Sequence, residues 1–179
     1  MKQRLFELLR REAFFKKRIK LSSGKYSNYY IDVRRVSLSP EGVYLISHLI
    51  FKIAKKYKVN AVGGPTLGAD PIVSGVCFVA HKRKYPLRGF LIRKSPKKHG
   101  SQRLIEGQQL KRGESVILID DVATSGGSLI KAIEVMRKNK IKTAAAITVV
   151  DREEGAAENL QKFRCPLVSL FTKSDFFKS

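Results

Sequence analysis

The spacing of apolar residues changes repeatedly along the chain and predicts an alternation of strands and helices. Short, almost continuously apolar runs, the pattern of strands covered on both faces of a sheet, lie at residues 59–63, 87–93, 115–120, 142–150 and 167–171. Segments with apolar residues on one helical face lie at residues 71–80, 127–138 and 156–163. Strands and helices that alternate in this way indicate an α/β fold with an open, mostly parallel twisted sheet flanked by helices.

The first third of the chain has shorter elements. Regularly spaced leucines predict an amphipathic helix over residues 5–13, and the residues at 29–33 favour a strand. The tripeptide Ser39-Pro40-Glu41 then marks a helix start, because serine caps a helix, proline fits its first position and an acid suits its first turn. Apolar residues on one face predict that this helix continues to about Tyr57.

Length and composition restrict the class of protein. The chain has 179 residues, of which 43% are hydrophobic and 28% charged, so we expect one globular domain over residues 1–179 and not a disordered chain. No apolar stretch approaches the ~20 residues of a membrane span, and charged residues at positions 7–12 interrupt any signal-peptide core. Cys77 and Cys165 lack metal-binding neighbours, which favours two reduced thiols in a cytoplasmic protein.

The positive charge of the chain is concentrated in two segments. With 36 Lys+Arg against 15 Asp+Glu, the formal net charge is +21. Residues 1–35 carry 11 basic and 3 acidic groups and residues 82–112 carry 11 and 1, whereas residues 113–179 are nearly balanced at 10 and 9. This clustering leaves three explanations open: binding of a nucleic acid, binding of an anionic small molecule, or a solvated surface.

The segment 116–128 combines a buried strand, two acids and a turn of small residues that opens a helix. Glycines in such a turn let the backbone approach a ligand, hydroxyl groups donate hydrogen bonds, and the free N–H groups of the new helix attract an anion. Carboxylates at the end of a strand accept hydrogen bonds from ribose hydroxyls and suit a nearby Mg²⁺. An ordinary capped loop is the alternative. The candidate phosphate cradle comprises Asp120, Asp121, Val122, Ala123, Thr124, Ser125, Gly126, Gly127 and Ser128.

A hydrophobic strand followed by Asp-Asp and Val-x-Thr-x-Gly-x-Ser resembles the phosphoribosyl pyrophosphate (PRPP) signature of the type I phosphoribosyltransferases. It differs from a Walker A loop, since neither Gly-Lys-Ser nor Gly-Lys-Thr occurs in the chain. Three further segments, at residues 23–34, 64–72 and 93–100, resemble the orotate phosphoribosyltransferase branch. The pattern Arg-Lys-x-x-Lys-x-His-Gly in the last of them narrows the resemblance to orotate.

The resemblance implies the type I phosphoribosyltransferase fold, with a small N-terminal hood at residues 1–35 that helps to bind the base and a mobile catalytic loop at residues 93–108. It also implies a reaction in which phosphoribose passes from PRPP to N1 of orotate, giving orotidine 5′-phosphate and pyrophosphate in de novo UMP synthesis. The sugar is expected to become oxocarbenium-like, with Mg²⁺ as cofactor. Because Mg²⁺ tends to bind through substrate phosphates, no all-protein metal site is expected.

The same resemblance assigns roles in catalysis. Four loop side chains are expected to reach the pyrophosphate as the loop closes, partly from the neighbouring subunit of a homodimer: Arg93, Lys94, Lys97 and His99. The whole phosphate cradle is expected to bind PRPP. The residues expected to be catalytic are Lys94, Lys97, His99, Asp120 and Asp121. For the four loop side chains, the alternative is a solvated basic loop.

Orotate is a planar anion whose carboxylate suits the forked hydrogen bonds of an arginine. The resemblance places it at Thr124, Arg152, Tyr29 and Tyr30. Arg152 has an alternative as an ion pair with Glu153 or Glu154, and the two tyrosines have an alternative as core aromatic residues.

Two positions depart from the family pattern. Ser22 and Gly68 stand where some relatives carry lysines that face anionic substrate atoms.

Two other functions stay open. A phosphoribosyltransferase for a purine or another base would share the cradle, and a PRPP-sensing nucleic-acid-binding regulator on the same fold would use the basic N-terminal segment. No DNA-binding segment is recognisable before the core, and the loop residues are present. We therefore expect neither a nucleic acid nor a membrane as partner.

Overall fold

The computed structural model describes residues 1–17, 19–20, 26–95 and 104–178, and in this part of the chain the central feature is a six-stranded sheet. The strands are β1 (Phe14–Phe15), β2 (Ile19–Lys20), β3 (Tyr26–Ser27), β4 (Tyr30–Ile31), β5 (Ala61–Pro65), β6 (Arg88–Ile92), β7 (Ile105–Gly107), β8 (Ser115–Ala123), β9 (Lys142–Asp151) and β10 (Leu167–Thr172). The helices are α1 (Lys2–Glu12), α2 (Arg34–Ser37), α3 (Pro40–Lys56), α4 (Asp70–Lys82), α5 (Gly127–Lys138) and α6 (Ala156–Gln161), with a 3₁₀ turn at Lys173–Phe176. None of these helices is long and apolar enough to span a membrane.

The sheet has the strand order β10-β9-β8-β5-β6-β7, in which the first five strands are parallel and the edge strand β7 is antiparallel. Helices cover both faces, which confirms the α/β fold that the apolar pattern predicts. After β5 the chain forms α4 on one face, and after β8 it forms α5 on the other. The strand order therefore reverses between β5 and β8, and open α/β sheets bind ligands in the crevice at such a point.

The central strand β8 is buried on both sides, which explains its continuous apolar run. Val116 and Leu118 pack in the cluster formed with α5 and α6, whereas Ile117 and Ile119 pack in the cluster formed with α1, α3 and α4. All four side chains are fully buried. Alternate residues of a strand point to opposite faces, so each core receives every second residue of the same strand.

The N-terminal residues pack onto the same face as α3 and α4. Leu5, Leu8 and Leu9 of α1 are buried in that cluster, as their spacing predicts. Strands β1 and β4 pair antiparallel, and the C-terminal 3₁₀ turn adds Phe176 to the same core. Of the strand predicted at residues 29–33, only β4 forms, because the chain then turns into α2.

Helix α3 begins where the capping signature predicts. The Ser39 hydroxyl accepts a hydrogen bond from the Gly42 N–H (3.1 Å) and lies 2.8 Å from the Val36 carbonyl, to which it donates. Pro40 occupies the first position of the helix, and Tyr57 caps its C-terminus. Nearby residues therefore decide both ends of this helix.

Two segments differ from their predicted limits because neighbouring strands supply backbone partners. Residues 105–107 lie within the loop expected at 93–108, yet they form β7, which pairs with the open edge of β6. Strand β8 continues beyond its predicted end at Asp120, since Val122 and Ala123 pair with β9. The two acids of the cradle therefore lie within a strand and not after it.

Candidate active site

The carboxyl ends of β5 and β8 meet at the crevice where the strand order reverses. The turn after β5, residues 66–69, leads into α4, and the turn after β8, residues 124–126, leads into α5. The Thr66–Leu67 peptide bond in the first turn is cis. The two segments approach closely, since a Cβ atom placed on Gly68 would lie 2.3 Å from Oδ1 of Asp121. The phosphate cradle and the turn at 66–69 therefore border one site.

Gly126 gives the phosphate cradle its shape. Its φ is +79°, in the left-handed region that glycine adopts readily, and it caps the N-terminus of α5. A Cβ atom at this position would also lie 2.4 Å from Cδ1 of Leu160 in α6. The first N–H groups of α5 have no partner within the helix, so the turn presents donors and the positive end of a helix dipole to an anion.

Helix α6 supports this turn from behind. The side-chain amide of Asn159 donates a hydrogen bond to the Ser125 carbonyl (3.0 Å), and Nζ of Lys162 donates to Oδ1 of the same amide (3.1 Å). Asn159 lies 34 residues from Ser125 along the chain. No local sequence pattern marks this contact, and reasoning from the sequence missed it.

The two acids, which we call the acid pair, form a dense group of acceptors at the end of β8. Asp120 is 8% exposed; its Oδ1 accepts from the Asp121 N–H (3.0 Å), and Oδ1 of Asp121 accepts from the Val122 N–H (2.9 Å). The buried Thr148 hydroxyl on β9 lies 3.2 Å from the Asp121 carbonyl, to which it donates. Burial, and then the charge of Asp121, raise the pKa of Asp120 well above its ordinary value, and the charge of Lys94 opposes this. Such a carboxylate gains strongly from a hydrogen-bond donor or a cation.

Arg152 lies at the same edge of the sheet. Its N–H donates to the Ala123 carbonyl (2.8 Å), at the end of β8. The residue is only 5% exposed; Nε donates to Oε1 of Glu154 (2.9 Å), and the guanidinium carbon lies 4.8 Å from the centre of the Tyr29 ring. The ion pair with Glu154, one of the alternatives for Arg152, is therefore present.

Tyr29 has the surroundings of a core aromatic residue. It is 8% exposed, and its ring centre lies 6.1 Å from that of Phe14 and 5.5 Å from that of Phe177. The hydroxyl donates to Oε1 of Glu154 (3.3 Å), and burial raises the pKa of Tyr29, so the phenol keeps its proton near neutral pH. The structure thus favours the core alternative for Tyr29, whereas Tyr30 on β4 is half-buried.

Comparison with known proteins identifies the family. The model of the phosphoribosyl transferase domain matches residues 39–172, a span that includes the phosphate cradle and Arg152. A curated relative, the orotate phosphoribosyltransferase of Aquifex aeolicus, is 44% identical over 156 residues, which cover 87% of this chain and 85% of that one. The chain belongs to the orotate phosphoribosyltransferase family.

Solved orotate phosphoribosyltransferase structures have the same fold. The Mycobacterium tuberculosis protein in complex with Fe(III) dicitrate has a TM-score of 0.85 and 35% identity, with 98% of each chain covered. In complex with PRPP, the M. tuberculosis protein has a TM-score of 0.82 and 30% identity, with 99% of each chain covered. The Aeropyrum pernix protein has a TM-score of 0.79 and 31% identity, covering 98% of this chain and 95% of that one. These comparisons confirm the type I phosphoribosyltransferase fold.

The basic loop expected of an orotate phosphoribosyltransferase is described only at its two ends. Two of its residues, Lys97 and His99, lie outside the described part of the chain. Nη1 of Arg93 lies 3.6 Å from Oε1 of Glu106 on β7. Lys94 is exposed, and its charge lowers the pKa of Asp120, against the larger effect of burial. Arg93 is paired at the edge of the sheet.

One of the two departures from the orotate phosphoribosyltransferase pattern has a steric explanation. Ser22 lies outside the described residues. A Cβ atom at Gly68 would lie 2.3 Å from Oδ1 and 2.6 Å from Cγ of Asp121. Any side chain at position 68, lysine included, would therefore displace the Asp121 carboxylate.

Proposed function

We propose that this chain transfers the phosphoribosyl group of PRPP to N1 of orotate. The bond from C1 of the sugar to the pyrophosphate oxygen breaks and a bond from C1 to N1 of orotate forms. N1 loses its proton, which the released pyrophosphate takes up, and the products are orotidine 5′-phosphate and pyrophosphate. The observation that carries the proposal is the phosphate cradle at the switch between β5 and β8, with the acid pair and Arg152 at the same edge. The substrates named for relatives of 30–44% identity support it.

The phosphate cradle is proposed to hold the phosphoribosyl part of PRPP. The free N–H groups at the start of α5 and the hydroxyls of Thr124, Ser125 and Ser128 suit the 5′-phosphate. The carboxylates of Asp120 and Asp121 accept hydrogen bonds only, and they suit the two ribose hydroxyls as donors. Because the turn is held by α6 from behind, its donors are in place before the substrate arrives.

We expect Asn159→Ala to weaken PRPP binding. The variant removes the hydrogen bond to the Ser125 carbonyl, a contact worth about 1 kcal/mol, so the KM for PRPP should rise about fivefold while the KM for orotate stays within twofold. Steady-state kinetics with each substrate varied in turn measures both constants. Lys162→Ala is the matched control, since it removes only the outer hydrogen bond of the same amide and should change the KM for PRPP less. Equal increases in both constants would contradict a role confined to the cradle.

Departure of pyrophosphate requires positive charge and exclusion of water. The segment 82–112, with 11 basic groups and 1 acidic group, can supply the charge. We assign this role to the loop at 93–108, in which the charge of Lys94 acts on Asp120. Its predicted pyrophosphate ligands are Arg93, Lys94, Lys97 and His99.

The acid pair also fits Mg²⁺. Carboxylate oxygens are the hard ligands that this ion prefers, and the buried Asp120 gains from a nearby cation. Asp120 and Asp121 would hold the ion together with oxygens of PRPP. When bound, Mg²⁺ neutralises charge on the departing pyrophosphate. Within the described ranges, no three His, Cys, Asp or Glu side chains are grouped to hold a metal by themselves.

Arg152 is proposed to bind the orotate carboxylate. It is hydrogen-bonded to Ala123, the residue before Thr124, so Arg152 and Thr124 lie at the same end of β8. We propose that Tyr30, a half-buried aromatic residue of the hood, borders the base. Orotate would thus lie beside the sugar carbon at which the new bond forms.

We also propose that residues 1–179 act as one domain in a cytoplasmic homodimer whose subunits share the loop at 93–108. The hood supplies Leu5, Leu9 and Ile31 to the same hydrophobic cluster as the sheet, which supports a single domain. Cys77 and Cys165 are free thiols, which suits a reducing compartment.

The proposed reaction is tested by incubating the purified chain with Mg²⁺, PRPP and one base at a time. We expect orotate absorbance to fall and pyrophosphate to appear in equal amounts. Consumption of hypoxanthine, guanine or xanthine in place of orotate would show a purine enzyme. Binding of nucleic acid with no base consumed would instead support the regulator.

A further inference from the structure

The Arg152 guanidinium is buried and only partly used by its protein neighbours. Nε donates to Oε1 of Glu154 at 2.9 Å, and Nη2 lies 2.9 Å from the same oxygen. Although Nη2 is buried, it has no acceptor with hydrogen-bonding geometry among the described residues. A guanidinium carries five N–H donors in a rigid fork, so Glu154 alone does not satisfy them, and donors remain for a carboxylate ligand.

Glu154 contacts both groups that fix this guanidinium. Its Oε1 accepts from Nε of Arg152 along one edge, and it also accepts from the Tyr29 hydroxyl at 3.3 Å. The Tyr29 ring lies over the guanidinium, with 4.8 Å between the ring centre and the guanidinium carbon. The Glu154 carboxylate therefore contacts both Nε of Arg152 and the tyrosine whose ring lies over the guanidinium.

The Tyr29 ring is itself held in place. Phe14 from β1 and Phe177 after the C-terminal 3₁₀ turn pack against it, at 6.1 and 5.5 Å between ring centres. These two aromatic residues come from opposite ends of the chain. The pair of Arg152 and Glu154 is therefore set against a rigid aromatic wall, which limits the rotation of a long side chain.

We propose that Glu154 is a positioning residue for orotate, acting through Arg152. This inference rests on the proposed function, in which Arg152 binds the orotate carboxylate. Without Glu154, the buried guanidinium would lose its charge partner and the contact that directs its fork, and the arginine would turn towards water. The loss should affect orotate and not PRPP, because the phosphate cradle is held separately by α6.

The experiment compares Glu154→Ala and Glu154→Gln with the neighbouring Glu153→Ala. Glu153 is the matched control, since its carboxylate accepts from the N–H and hydroxyl of Ser174 and not from Arg152. Glu154→Ala should raise the KM for orotate about tenfold and leave the KM for PRPP within twofold. Glu154→Gln should stay within about threefold of wild type, because its amide oxygen still accepts from Nε.

Tyr29→Phe gives a second measurement that preserves the packing. It removes only the hydroxyl that donates to Glu154 and keeps the ring over the guanidinium, so the KM for orotate should rise about threefold. If Glu154→Ala fails to fold, as judged by thermal denaturation, Tyr29→Phe decides the question. An unchanged KM for orotate in Tyr29→Phe would then overturn the inference.

Four results would contradict the positioning role. A lower KM for orotate in Glu154→Ala would show that the carboxylate competes with the substrate for Arg152. Equal increases in both KM values, or the same effect in Glu153→Ala, would show a general structural role. A wild-type chain that leaves orotate unchanged would refute the proposed function, whereas an active wild type with unchanged Glu154→Ala kinetics would refute this inference alone.

Discussion

An Asp120→Asn variant should lose about 10- to 100-fold in kcat/KM for PRPP and yet, without substrates, be more stable than the wild type near neutral pH. Activity falls because a neutral amide replaces an ionised acceptor of the ribose hydroxyls, and a hydrogen bond to a charged group is worth about 1.5–3 kcal/mol. Stability rises because the ionised carboxylate is buried beside Asp121, and an amide of the same shape lacks that charge. Steady-state kinetics and urea unfolding at pH 7.5 measure the two effects.

The pH dependence of unfolding separates this explanation from a general packing effect. Because the pKa of Asp120 is higher in the folded than in the unfolded chain, the folded chain keeps this proton to higher pH. The contribution of Asp120 to stability therefore becomes less favourable as pH rises from the ordinary aspartate value, about 3.9, through the folded value. The advantage of Asp120→Asn should be present near neutral pH and disappear in acid.

Asp175→Asn is the control for that measurement, because its effect on stability near neutral pH should have the opposite sign. The Thr172 N–H, and then Lys178, lower the pKa of Asp175 in the 3₁₀ turn, so its carboxylate contributes stability above the unfolded value and loses it in acid. This variant should be less stable than the wild type near neutral pH, with the difference shrinking in acid. A destabilised Asp120→Asn chain at pH 7.5 would show that Asp120 has compensating contacts.

Arg152→Ala should raise the KM for orotate about 100-fold and leave the KM for PRPP within about threefold. Two charge-assisted hydrogen bonds to the orotate carboxylate are lost, together worth about 3 kcal/mol or more. Arg152→Lys should recover little, because a single ammonium does not reproduce the fork or lie flat on the Tyr29 ring. Steady-state kinetics with each substrate varied in turn measures both constants.

Thermal denaturation supplies the control for Arg152. Removal of the guanidinium leaves Glu154 without its charge partner and removes one contact of the Tyr29 ring. A modest loss of stability is therefore expected in Arg152→Ala. Arg88→Ala breaks a partly buried ion pair with Glu114, away from Arg152. The loss of stability in this variant is the value with which that of Arg152→Ala is compared. Similar increases in the KM values for both substrates in Arg152→Ala would contradict a direct role in binding orotate.

Local sequence predicts the parts of the site that are formed by neighbouring residues. Helix α5 spans Gly127–Lys138 as predicted, since the turn after β8 ends at Gly126 and an apolar helical period follows. The cap at Ser39 is likewise correct, because the capping atoms belong to residues three positions apart. Chemistry that lies within a few consecutive residues can be recognised before the chain is folded.

The limits and pairings of strands are harder to predict from the sequence, because a strand depends on neighbouring strands for its hydrogen bonds. Strand β8 extends past the acids since β9 runs alongside it, with Val122 opposite Val150. Residues 105–107 form a strand because β6 has an open edge, although their own sequence is polar and without period. In both cases the decisive partner lies elsewhere in the chain.

The sequence by itself determined the layered α/β fold, the residues of the phosphate cradle and the resemblance that the family comparison confirms. Only the tertiary structure decided what supports that chemistry: Asn159 behind Ser125, 34 residues away, and Glu154 against Tyr29, 125 residues away. An apolar pattern tells which face of an element is buried, but not which side chains of two distant elements meet. Those contacts arise when the faces pack, and they hold Arg152 and the cradle in the geometry that binding requires.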